Sequence, residues 1–305
     1  MRILKKYFPF LFIFGVVLAL YFPVFSLYFS QDDFFVLKMG TANSLSDFLN
    51  FFSFRYPHGY AFYRPLTTQV YAFVIKSLFG LQPFFFHFVS FIFFLANLVL
   101  IFKIVEKLLK KRNLGFFVCF FYAINASNLG SLAYISNFQE IGMAFFLFLS
   151  FWLYLKDKRI APLFFIFSLL SKENAVVLPL ILLGYEYLLG KREWKKTLPY
   201  WFILGFYVIF RIGGGLPETA VYQLDFNLKN IFNSYFWYLL WGIGLPEMLI
   251  DFVGPGFKID PRLIIYYRRE IQIIFSASLA FVLLLAGSIL RSRKSEKNKE
   301  AFFLL

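Results

Sequence analysis

Apolar runs long enough to cross a bilayer recur along this chain, and they leave few folds open to it. The first, KYFPFLFIFGVVLALYFPVFSLYF at residues 6–29, carries one charge at its start and none after. A transmembrane helix needs roughly 17–25 such residues. Lipid offers the backbone no hydrogen-bond partners, so each crossing has to be helical. Composition agrees: only 16% of the 305 residues are charged and 60% are hydrophobic, with mean hydropathy +0.68, whereas a soluble domain carries about 25% charged residues. The expected fold class is therefore an all-α polytopic membrane protein. The one cysteine, Cys119, lies in an apolar run, which excludes a disulfide framework and a cysteine-based metal site. Arg2, Lys5 and Lys6 precede residues 8–29 as in a signal peptide. That run is too long and lacks a small-residue cleavage site, so it reads as an uncleaved anchor.

Charge sets the expected orientation. Five basic stretches, the N-terminus, 103–112, KDKR at 156–159, KREWKK at 191–196 and RSRKSEKNKE at 291–300, together carry +15 against +14 for the whole chain, so everything else sums to −1. The positive-inside rule puts these five in the cytoplasm and the intervening polar loops outside. The basic excess is interleaved with apolar spans, and no nucleic-acid partner is expected.

Threading the chain on that basis gives about 8–9 transmembrane helices. Residues 8–29 exit and 30–61 form an extracytoplasmic first loop. RPLTTQVYAFVIKSLFG at 64–80 is a juxtamembrane helix in the outer interface. Spans follow at 83–107, 114–130, 139–155, 160–171, 174–190, 198–214 and 271–290, while 231–250 fits either a span or a surface-lying helix. No internal repeat or soluble domain is evident. Residues 1–290 form one membrane core. Residues 291–305, ending KEAFFLL, read as a basic cytoplasmic tail or the start of a truncated further span.

Against this apolar background, SQDDFF at residues 30–35 stands out. Ser30 and Asp33 have capping-box spacing, and an acid suits a helix N-terminus; Asp32 is left without that explanation. The same loop continues FRYPHGYAFYRPL, crowding Arg55, His58, Tyr60, Tyr63 and Arg64 together. Such a set of acids, cations and tyrosines can bind an anionic, hydroxyl-rich ligand. Glu140 opens the 139–155 span, and Lys172 and Glu173 lie between two apolar runs in LLSKENAVVLPLILL. An isolated charge at a helix centre costs roughly 2.5–3.5 kcal/mol on insertion scales, and intramembrane ionisable groups are functional candidates by default. The plainer reading puts Lys172 and Glu173 at the outer interface, with Lys172 paired to Glu140. All these acids map to one face. His58, His87 and the acids lack recognisable ligand spacing, and no metal site is expected. The Asn125-Ala126-Ser127 sequon lies at a span end and carries no weight.

An anchor helix, an outer loop opening with an acid pair, a later YRPL, then GLQPFFFH and SKENAVVLP in that order resemble the GT-C membrane glycosyltransferases. The likeness is strongest to the transmembrane mannosyltransferases that carry tetratricopeptide repeats, and weaker to the protein O-mannosyltransferases and lipid A aminoarabinose transferases. It covers roughly residues 8–290, the membrane core of that family. No tetratricopeptide repeats follow here, and the family's later spans and C-terminal domain are absent. Phe138 stands where relatives often carry an Arg two residues before the acid.

The resemblance implies an enzyme of the inner or plasma membrane, with its active site on the extracytoplasmic side, taking sugar from a polyprenyl-phosphate donor. Transfer to the hydroxyl of a protein, lipid or glycan acceptor inverts the anomeric centre. The acid pair Asp32 and Asp33 is the catalytic candidate, with Asp32 aligning with the family's catalytic aspartate. Arg64, Lys172 and Arg211 are the cations available for the donor phosphate. Arg55, His58, Tyr63, His87, Glu140 and Glu173 are supporting or sugar-binding candidates. No cofactor is expected, although the aminoarabinose transferases leave a divalent metal open. Two other classes stay open: a flippase or transporter of a lipid-linked sugar, which would place its polar groups near the midplane on broken helices, and a non-catalytic, truncated GT-C homologue.

Overall fold

The computed structural model of the chain describes residues 2–53, 62–190, 192–213, 227–242, 244–245, 250, 252–254, 258–273, 275–276 and 279. Two compact units divide it, Met1–Leu245 and Pro246–Leu305. Both are built from helices, apart from one short antiparallel pairing in the second.

The first unit begins with α1 (Arg2–Tyr21), which tightens into a 3-10 turn over Phe22–Ser26 where Pro23 enters. Two short helices follow, α2 (Asp32–Met39) and α3 (Leu45–Asn50). A complete capping box starts α3: Ser44 Oγ accepts from Asp47 N–H while Asp47 accepts from Ser44 N–H. A π-helical turn, Leu66–Val70, leads into α4 (Tyr71–Phe79). Gly80, at φ 64°, ends α4 in a conformation that a residue with a Cβ adopts only at a cost. Pro83 then opens the long α5 (Pro83–Leu109), stopped by Lys110 in the left-handed region. After it come α6 (Arg112–Ala123), α7 (Ser127–Ala133), α8 (Phe138–Tyr154), α9 (Ala161–Leu169), α10 (Leu178–Leu188), α11 (Leu198–Gly213) and α12 (Leu228–Gly242).

Two aromatic-rich cores hold this unit together. The first gathers Val17 of α1, Phe86, Phe94 and Leu98 of α5, Cys119 of α6 and Leu132 of α7. The second gathers Leu147 of α8, Phe165 and Leu169 of α9, Leu178 and Leu182 of α10 and Tyr200 of α11. α6 returns along α5 and α9 along α8, while α5 and α8 run the same way, so α5 and α8 start at one end of the unit, where α9 finishes and α11 brings Tyr207 and Arg211. At the opposite end three basic stretches converge. Lys103 and Lys156 lie 4.9 and 5.5 Å from the Trp152 ring, and Lys196 Nζ meets Asp157 Oδ1 at 2.8 Å.

Two helical segments among the described residues are long and apolar enough to cross a membrane: Phe8–Ser26, with 19 residues, and Pro83–Leu109, with 27. A third is reached if α6 and α7, bent by 62° at their junction, count as one broken span. Among the described residues, eight or nine crossings are not reached. The later runs give shorter helices: α8 has 17 residues and α11 16, close to the lengths of the runs themselves, while α10 has only 11 because Glu173–Val177 forms a 3-10 turn ahead of it.

In the second unit, β1 (Val253–Gly254) pairs antiparallel with β2 (Lys258–Ile259). Asp260 then caps α13 (Pro261–Tyr266) by accepting from Arg262 N–H. The span expected at 271–290 falls largely outside the described residues, as does the tail 291–305.

Candidate functional site

The site is built at the end where α5 and α8 begin. Its foundation is Asp33, in the first turn of α2 and fully buried. A buried carboxylate is costly unless hydrogen-bonded, and Asp33 is bonded through both oxygens. Oδ2 accepts from Ser30 N–H at 3.0 Å, the half of the capping box that its spacing foretells. Oδ1 accepts from Ser136 N–H at 2.7 Å, tying α2 to the turn just before α8. The other half of the box is replaced: Gln31 is the cap residue, at φ 47° and ψ −118°, with no side-chain bond. Such a conformation costs a residue with a Cβ of order 1–3 kcal/mol, and the two bonds of Asp33 hold it in place. Asp32, one position earlier, is exposed and forms no hydrogen bond or ion pair among the described residues.

The next layer comes from helix-end chemistry. The last carbonyls of a helix lack intrahelical partners. At the end of α9 they are met by the π-helical turn: Leu66 N–H donates to Leu170 O at 3.2 Å and Thr67 Oγ1 to Ser171 O at 2.6 Å. Gly142 of α8 lets that turn come close, since a Cβ there would lie 2.6 Å from Thr67 Cγ2. Arg64 is thereby brought against residues more than seventy positions away. Its guanidinium grips both oxygens of Glu173, through Nε at 2.8 Å and through Nη2. Its Nη1 donates to Gln139 Oε1 at 2.6 Å. Beside it, Lys172 is ion-paired with Glu140. Burial pushes the Glu173 carboxyl up, but the hydrogen bond and charge of Arg64 outweigh it and hold the group below the usual glutamate range.

Exposure within these pairs is uneven. The cation side chains are 9% and 13% exposed for Arg64 and Lys172, whereas their partners Glu173 and Glu140 are 43% and 38% exposed. Solvent at this end therefore meets Asp32, Glu140 and Glu173, with Arg64 and Lys172 seated behind the glutamates.

Arg211, near the end of α11, comes within electrostatic reach of Tyr63 and Tyr207. Tyr207 in turn lies near Glu173 and Arg64, and its hydroxyl makes no hydrogen bond of normal geometry among the described residues. Tyr63 donates to Phe52 O at 3.0 Å. His87 is fully buried in α5, donating from Nδ1 to Leu132 O at 3.1 Å, with Nε2 unpartnered among the described residues. It lies within electrostatic reach of Asp33 and away from solvent. Arg55, His58 and Tyr60 lie outside the described residues. Phe138, at the position where the resembling proteins often carry Arg, is a core residue stacked on Tyr71 with centroids 3.9 Å apart.

Sequence reasoning passed over Gln139, Thr67 and Ser136. Gln139 had a signal, a polar residue beside Glu140 at the start of an apolar helix; a backbone donor such as that of Ser136 had none. An apolar cavity of about 290 Å³ opens beside the cluster, lined among others by Leu66, Thr67, Val74, Phe93, Phe138 and Phe146. Among the described residues no group of three or more His, Cys, Asp or Glu is gathered to hold a metal ion. Compared with known proteins, the chain matches no family model and no curated sequence.

Proposed function

We propose that this protein is a membrane glycosyltransferase of GT-C type, moving a sugar from a polyprenyl-phosphate donor to an extracytoplasmic acceptor hydroxyl. The observation that carries the reading is the convergence of Asp32, Arg64, Glu140, Lys172, Glu173 and Arg211, from five separate segments, at one end of an apolar helical unit. On this reading that end is extracytoplasmic and the end carrying Lys103, Lys156 and Lys196 is cytoplasmic, as the positive-inside rule asks. The shorter apolar helices α8 to α11 then sit in the membrane with α1 and α5, approaching the eight or nine crossings foreseen.

Each group has a task in this mechanism. The acceptor hydroxyl loses its proton as it attacks the anomeric carbon, and Asp32, exposed and unpaired, takes it. General-base catalysis of this kind is worth about 10²–10⁴-fold. The sugar–phosphate bond breaks on the opposite face and configuration inverts. The lipid phosphate leaves with growing charge, which nearby cations stabilise. Arg64 and Lys172 reach it by exchanging a glutamate partner for phosphate, and Arg211 approaches from α11. Glu140 and Glu173, turned to solvent, are placed to accept hydrogen bonds from sugar hydroxyls. The apolar cavity beside Thr67 offers the lipid tail a path.

Purified protein in vesicles with radiolabelled polyprenyl-phosphate hexoses tests this reading. Transfer to an added acceptor, or slow hydrolysis of the donor, is expected. Transbilayer movement of intact donor with neither reaction would point instead to a flippase.

A further inference from the structure

Helix α12 is the one long apolar helix whose relation to the membrane hydropathy leaves open, and its ends decide the question. Its C-terminal carbonyls are held by the junction of α6 and α7. Asn125 Nδ2 donates to Gly242 O at 3.0 Å and to Trp241 O at 3.5 Å, and Ser127 Oγ donates to Trp241 O at 3.3 Å. This also gives the Asn125-Ala126-Ser127 triplet a structural task, since orphan carbonyls at a helix end need partners. The junction lies at the end of the unit that bears the charged cluster: Tyr21, closing α1, donates to Ala123 O at 2.9 Å, and Ser136, just beyond α7, bonds Asp33. α11 finishes at the same end, with Arg211 beside Tyr63 and Tyr207.

Both the exit from α11 and the end of α12 are thus on one side, with residues 214–227 between the helices. If α12 crossed the bilayer, those 14 residues would first have to cross it the other way. As a helix they would reach about 21 Å, short of the roughly 30 Å hydrocarbon core. Drawn out, they would reach but leave backbone groups unpaired in lipid. α12 itself, at 15 residues, is about 22 Å long.

We infer that α12 lies along the membrane surface on the charged-cluster side, with one face immersed in the lipid headgroup boundary. Leu228, Phe232, Tyr235 and Leu239 repeat at helical spacing and are each between 66% and 72% exposed, while Trp237 on the other side is buried. A stripe of this kind, with Tyr235 on it, suits the interface rather than water or the hydrocarbon centre. Ile124 and Leu129, on either side of the Asn125–Ser127 clamp, are exposed apolar residues as well. This placement holds whatever chemistry the cluster performs.

Nitroxide labels on the full chain in lipid nanodiscs test it. Leu228→Cys, Phe232→Cys, Tyr235→Cys, Leu239→Cys and Asn233→Cys are compared in a Cys119→Ala background by power saturation with oxygen and a water-soluble nickel chelate. Should that background lower the folded yield, the parent serves instead, because Cys119 is buried and out of reach of the label. The first four positions are expected at one shallow depth, oxygen-accessible and nickel-poor, with Asn233 favouring nickel. A depth that climbs steadily from one end of α12 to the other through the bilayer centre would overturn the inference. So would nickel access at all four apolar positions.

Discussion

Replacing Asp33 with asparagine separates the two adjacent acids most sharply. Asp33 satisfies two backbone donors, Ser30 N–H at 3.0 Å and Ser136 N–H at 2.7 Å, from a fully buried position. An asparagine side chain has one acceptor oxygen and one NH₂, so in either orientation one of those backbone N–H groups faces another donor. Losing a bond to a charged group is worth about 1.5–3 kcal/mol, and the lower cost of burying a neutral side chain offsets part of it. A net loss of about 2 kcal/mol is expected, up to a 30-fold fall in the folded-to-unfolded ratio. Denaturation of the purified, detergent-solubilised protein would read this as an earlier midpoint, while turnover per folded molecule stays within a few-fold of the parent. The reasoning fails if Asp33→Asn is as stable as the parent yet inactive, for then the buried acid takes part in the chemistry.

Three further outcomes are expected. Lys172→Ala should raise the donor KM roughly ten- to a hundredfold, in line with about 1.5–3 kcal/mol for a bond to a charged partner, with partial rescue by Lys172→Arg; unchanged donor dependence with less folded protein would assign Lys172 to holding Glu140 alone. Glu173 is held below its ordinary pKa of about 4.3, so the unfolded chain takes up its proton first as pH falls. Its contribution to stability is full above that value and fades as pH drops through the depressed one, and the stability gap between parent and Glu173→Gln should be flat above about pH 5 and narrow below it; a gap that widens on acidification would contradict the pairing. Leu45→Cys should react with an impermeant reagent from outside intact cells and Lys158→Cys only after permeabilisation, and the reverse pattern would invert the proposed orientation.

Much of the architecture could be read from residue patterns, because it depends on local rules. Apolar run length marked α1 and α5, Pro83 and Gly80 marked element boundaries, and the spacing of Ser30 and Asp33 announced one hydrogen bond that the fold makes. The Lys172–Glu140 pair follows from two opposite charges at the rims of neighbouring apolar helices. The number of long spans was not legible, since the run at 114–130 is broken by the Ile124–Ala126 bend and the runs that became α8 and α11 give helices of only 17 and 16 residues. Nor was the grip of Arg64 on Glu173 and Gln139, which depends on Thr67 and Leu66 meeting the free carbonyls of α9 and on the missing side chain of Gly142. Such partners lie 75 to 109 residues apart, and no local propensity encodes them. The same holds for Asn125, whose value lies in capping a helix that begins a hundred positions later.

Asp32 carries the central claim. Its replacement by asparagine is nearly isosteric, touches no bond formed among the described residues, and removes the carboxylate's charge and with it the ability to accept a proton. The decisive measurement is the initial rate of sugar transfer from radiolabelled polyprenyl-phosphate hexose by reconstituted Asp32→Asn beside the parent, at matched amounts of folded protein. The account predicts a rate at least a hundredfold lower with donor KM little changed, consistent with loss of general-base catalysis. A variant that transfers sugar at the parental rate would contradict it.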